Sequence, residues 1–178
     1  MEFTKYKDFK DYHWKEYASK NNYYDHVEYL KKWIKEKNGL EVGCGDGLIA
    51  YELGFKGIDV EETGISLAKE HGVDAEVGTA YELEKYGMFD TVLLADTLEH
   101  LEFPDKALKE ISKITKVLYV VVPNQTNVEE FAYTKWNQES LTKFMSENGW
   151  KEISQDIQSF VPEGEPKIYG KYENIVCN

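Results

Sequence analysis

Residues 40 to 47 read Leu40-Glu41-Val42-Gly43-Cys44-Gly45-Asp46-Gly47. A short apolar strand carrying one acid runs straight into three glycines at alternate positions. Glycines so spaced let the backbone turn tightly and let a ligand lie close to the main chain. The next residues, 48–53, read as a short helix closed by Gly54. A helix starting at a ligand aims its free N–H groups and its positive dipole end toward it. The loop therefore suits an anionic or hydrogen-bond-accepting small molecule. The dinucleotide fingerprint G-x-G-x-x-G requires a third glycine where this chain has Leu48. From these residues alone, a nucleotide site of another kind and a purely structural turn both stay open.

Length and composition bound the answer. The chain of 178 residues suits one domain with a sizeable core, and its hydrophobic share of 42% is that of an ordinary globular protein. No apolar run is long enough to span a membrane and no secretory signal opens the chain, so a cytoplasmic protein is expected. Two cysteines, Cys44 and Cys177, make neither a disulfide framework nor a zinc cluster. A net charge of -12 repels phosphate backbones and argues against nucleic acid as a partner.

Outward from the glycine loop, strands and helices alternate. A helix with Val27, Leu30 and Ile34 on one face, capped by Asp25, ends at Asn38-Gly39. Strands are expected at 40–43, 56–60, 74–77, 89–95, 117–122, 150–157 and 167–176. Helices are expected at 63–71, 80–86, 104–114 and 139–148. The turn-rich segment 162–166 joins the last two strands as an antiparallel pair. The fold class is α/β: a doubly wound, mostly parallel seven-stranded sheet with an antiparallel edge hairpin. Residues 1–38 form a helical lead-in or lid, and 39–178 the sheet domain, within one structural domain. Ligands in such sheets bind at the carboxyl ends of strands, near the switch in strand order.

Asp59 ends the second strand, where a carboxylate can accept from both hydroxyls of a ribose. Further on, Phe89-Asp90-Thr91-Val92 leads through Asp96 to Leu98-Glu99-His100, and Val120-Val121-Val122-Pro123-Asn124 ends another strand. With E-x-G-x-G-x-G at 41–47, these stretches resemble the class I (Rossmann-like) S-adenosylmethionine-dependent methyltransferases of the small-molecule type. The resemblance covers roughly residues 39–124 and implies S-adenosylmethionine as cofactor and S-adenosylhomocysteine as product. It implies that Gly43, Gly45 and Gly47 wrap the methionine part, that Cys44 between them is part of the cofactor site, and that Glu41 lies near the amino group, directly or through water. Asp59 would bind the ribose, Ile58 and Val60 would border the adenosine, and Asp96 would flank the methionine end. Many relatives carry Gly-Asp after the third strand. This chain has Gly78-Thr79, so Thr79 or the backbone of Ala80 and Tyr81 must read the adenine.

The resemblance places His100 beside the transferred methyl, where a histidine can serve as general base. The alternative is a helix-entry histidine that packs locally. Asp96, Glu99 and His100 resemble part of the metal cluster of small-RNA 2′-O-methyltransferases, but no histidine follows His100, so no metal is expected. Acceptor specificity is expected from Phe131, Tyr133 and Trp136 as a roof, and from Tyr12, Trp14 and Tyr17 as a lid over the cofactor. The expected activity is methylation of an oxygen or nitrogen on a small-molecule acceptor. A catalytically silent cofactor-binding or partner-dependent subunit, a protein methyltransferase and a nicotinamide oxidoreductase are the rivals, and a homodimer stays open.

Overall fold

The computed structural model describes residues 5–124, 132–160 and 165–175. Phe131, Cys177, the expected last strand residue Val176 and residues 162–164 of the expected turn lie outside them. The chain forms two compact units, Met1–Thr79 and Ala80–Asn178.

The first unit opens with three helices, α1 (Lys5–Phe9), α2 (Tyr12–Ala18) and α3 (Asn22–Trp33). α3 begins three residues before the expected Asp25 cap: Asn21 takes the cap position, with no side-chain cap bond. The expected apolar face holds, since Val27, Leu30 and Ile34 are all buried. β1 (Gly39–Val42) follows, then α4 (Leu48–Leu53), β2 (Lys56–Asp59), α5 (Glu62–Glu70) and β3 (Ala75–Val77). The three strands run parallel in the order β3-β2-β1, with Leu40 opposite Lys56 and Gly57 opposite Ala75. All four residues of β1 are buried, Glu41 included. Gly57 has a packing reason: a Cβ there would stand 2.7 Å from the Cys44 sulfur.

The second unit carries β4 (Thr91–Ala95), α6 (Pro104–Ile114), β5 (Val117–Pro123), α7 (Gln138–Glu147), β6 (Trp150–Gln158) and β7 (Lys167–Asn174). β4 and β5 pair in parallel, and β7 pairs antiparallel with both β5 and β6. β4 is buried throughout, which explains its nearly continuous apolar sequence. α6 starts on Pro104 and buries Ala107, Leu108, Ile111 and Ile114 at helical spacing. α7 is held at its start by a reciprocal pair of hydrogen bonds between Asn137 and Ser140. The helix expected over 80–86 shrinks to one 3-10 turn at Glu84–Tyr86. Gly87 follows at φ +83° and stops it. Among the described residues, no helix is long and apolar enough to cross a membrane.

Candidate active site

The glycine loop and Asp59 meet within the first unit. The Asp59 carboxylate accepts from the Gly45 N–H through Oδ2 and from the Glu61 N–H through Oδ1, both at 2.8 Å. The turn after β3 is tied to the same place, because the Gly78 N–H donates to the Asp59 carbonyl at 2.9 Å. Burial pushes the Asp59 carboxyl above its ordinary range, while hydrogen bonds from the Glu61, Gly45 and Val60 backbone pull it down.

Four of the loop amides are already engaged by the protein itself. Gly43 and Cys44 both donate to the Ile58 carbonyl, at 2.8 and 3.0 Å, and Gly47 donates to Cys44 at 2.9 Å. With Gly45 on Asp59, these donors shape the loop itself. Backbone donors left inside a turn must find partners, and here β2 supplies those of Gly43, Cys44 and Gly45 and the loop itself that of Gly47. Gly45 lies at φ +55°, and a Cβ there would stand 1.7 Å from the Tyr6 hydroxyl. Tyr6, buried on α1, thus sets its hydroxyl end against the loop, with its ring also against Gly64.

Other sequence-predicted residues fall as follows. Ile58 is fully buried, so its side chain belongs to the core, whereas Val60 is 66% exposed beside Asp59. Thr79 is half-buried and Ala80 is buried. Burial, then the Glu41 and Asp59 carboxylates, push the Cys44 thiol well up, so it is no nucleophile.

In the second unit, Asp96 follows β4 at φ +49° with its carboxylate on the Lys167 ammonium. His100 ends the 3-10 turn Leu98–His100, its Nε2 3.9 Å from a carboxylate oxygen of buried Glu99. Trp136 is no roof: it is buried, with its ring 5.0 Å from that of Phe144. Tyr133 is exposed, its N–H donating to the Glu99 carbonyl at 2.8 Å. Among the described residues, no group of three or more histidine, cysteine or acidic side chains is arranged to hold a metal.

Sequence reasoning missed Asp46. Its carboxylate, 1% exposed, lies 2.9 Å from the His13 Nδ1, and its carbonyl accepts from the Trp14 indole N–H at 2.9 Å. His71 follows α5, and its ring stacks on that of Trp14 at 3.9 Å. Tyr17 does not reach the loop but donates to Glu28 on α3 at 2.9 Å. A cluster of aromatics and histidines before an acid inside the glycine loop was the available signal.

A family model described as "Methyltransferase domain" matches residues 40–117, the segment that carries the glycine loop, Asp59 and His100. That segment, somewhat less than half of the chain, is thus similar to methyltransferase domains. A curated relative, the ubiquinone biosynthesis O-methyltransferase of Caulobacter vibrioides, is 27% identical over 147 residues, 71% of this chain and 58% of that protein. The chain thus spans little more than half the length of that relative. Among solved structures, an S-adenosylmethionine-dependent methyltransferase of Thermotoga maritima superposes with a TM-score of 0.76 at 20% identity, covering 95% of this chain and 98% of that one. The magnesium protoporphyrin IX methyltransferase of Synechocystis, solved with S-adenosylmethionine, gives 0.69 at 16% identity, with 86% and 80% covered. These likenesses bear out the fold class: a doubly wound α/β domain with a mostly parallel seven-stranded sheet and an antiparallel edge pair.

Proposed function

We propose that this chain binds S-adenosylmethionine through its glycine loop and Asp59 and methylates an oxygen or nitrogen of a small-molecule acceptor. The observation that carries this reading is the Asp59 carboxylate, fixed between the Gly45 and Glu61 amides at 2.8 Å each. A carboxylate has about four acceptor positions, so Asp59 retains capacity for ribose hydroxyls while anchored to the loop. The donor set fits the cofactor: an acid for the ribose, an exposed Val60 for an adenine face, and closely packed glycines. The cofactor, when bound, supplies an activated methyl group on a sulfonium. The protein's task is then mainly orientation. Residues 1–38 act as the lid.

We assign His100 as the base that takes the acceptor's proton, with buried Glu99 beside it to stabilise the imidazolium. The O-methyltransferase relative supports an oxygen acceptor. Isothermal titration with S-adenosylhomocysteine tests the cofactor reading: saturable binding is expected, and no heat at millimolar ligand overturns it. A screen of phenols, amines and carboxylates with S-adenosylmethionine then identifies the acceptor by release of S-adenosylhomocysteine.

A further inference from the structure

Asp46 lies inside the glycine loop, between Gly45 at φ +55° and Gly47 at φ +80°, yet its side chain is almost wholly buried. Both of its carboxylate oxygens face one residue. Oδ1 lies 2.9 Å from the His13 Nδ1, and Oδ2 accepts the His13 backbone N–H at 3.3 Å. An ionised carboxylate only accepts, so Nδ1 carries the hydrogen of that bond. The His13 ring is itself held, 3.8 Å from the Tyr12 ring and 4.6 Å from the Tyr23 ring, with Tyr6 at 6.0 Å. Trp14 adds its indole bond to the Asp46 carbonyl and stacks on His71, which is 3.6 Å from Asp11.

We propose that His13 is a positioning residue for cofactor binding, latching the N-terminal helices to the glycine loop through Asp46. The inference rests on the reading that this loop binds S-adenosylmethionine. Its physical basis is the burial of Asp46. A buried carboxylate that loses its hydrogen-bonding partner must reach water or rearrange. Asp46 is covalently next to Gly45, whose N–H holds Asp59, so rearrangement disturbs the ribose-binding acid. His13 thus acts on the ligand through Asp46 and the loop, without touching it.

The test compares S-adenosylhomocysteine affinity of the unmodified chain with His13→Ala, His13→Asn and His13→Gln. The asparagine nitrogen falls where Nδ1 was, and the glutamine nitrogen does not. His13→Ala and His13→Gln should weaken binding roughly tenfold, the loss of about one charge-assisted hydrogen bond, and His13→Asn should restore most of it. Unchanged affinity in His13→Ala, or equal affinity of the Asn and Gln variants, overturns the latch. No binding by the unmodified chain overturns the cofactor reading itself. Hydrogen exchange on the unmodified chain guards against variants that fail to fold. Saturating S-adenosylhomocysteine should slow exchange of the His13 amide, and exchange that ligand does not alter refutes the proposal.

Discussion

Replacing Gly45 with alanine probes the contact between the N-terminal helices and the loop. An added Cβ would stand 1.7 Å from the Tyr6 hydroxyl and 2.4 Å from its ring, so the tyrosine must leave. Two costs arise. Holding a residue with a Cβ at φ +55° costs about 1–2 kcal/mol. Expelling a buried tyrosine forfeits roughly 1.5–3 kcal/mol of apolar burial. Together they predict a loss of about 2.5–5 kcal/mol, which for a chain of this length lowers Tm by roughly 5–20 °C. Calorimetric unfolding of Gly45→Ala, Tyr6→Ala and the double variant separates the two. In the Tyr6→Ala background only the backbone cost remains, so the second substitution should cost about 1–2 kcal/mol. If Gly45→Ala costs the same in both backgrounds, Tyr6 does not rest on the loop and the reasoning fails.

Asp59→Ala should weaken S-adenosylhomocysteine binding about ten- to a hundredfold, or roughly 1.5–3 kcal/mol, and unchanged titration heats would reject the ribose role. The acid binds as carboxylate, and burial has raised its pKa above the ordinary value. Affinity should therefore be full above that raised pKa and fall as pH drops through it. The fall should begin at a higher pH than for an unshifted aspartate, and Asp59→Asn should flatten the profile. His100→Ala should leave S-adenosylhomocysteine affinity intact while lowering turnover about 10²- to 10⁴-fold, and normal turnover would return His100 to a packing role. Trp150, 1% exposed at the start of β6, is core, so Trp150→Ala should destabilise by roughly 3–5 kcal/mol in urea unfolding.

The elements most legible in the sequence were those whose burial is one-sided or complete. β4 and β5 announce themselves as apolar runs, and α6 falls at the expected Pro104–Ile114 because its apolar spacing and Pro104 agree. Residues 80–86 were misread because Leu83 is buried within a turn rather than on a helical face. Periodicity over so few residues cannot tell the two apart. In the site, glycine spacing located the loop, and Asp59 stands where the strand pattern put it. The use of the loop amides was hidden, because it depends on the Ile58 carbonyl, a backbone atom that no side-chain pattern reports. Asp46 was hidden for a related reason. An acid between two glycines reads as solvated until His13, 33 positions earlier, is seen against it.

The Ile58 carbonyl, gripped by two successive amides, has a kinetic corollary. A bend already frozen before its guest arrives leaves little chain freedom to surrender at encounter. Recognition should then resemble a rigid mould, discriminating against nucleosides of the wrong pucker or bulk through misfit, while adjustments of the entrance govern how long the right one stays.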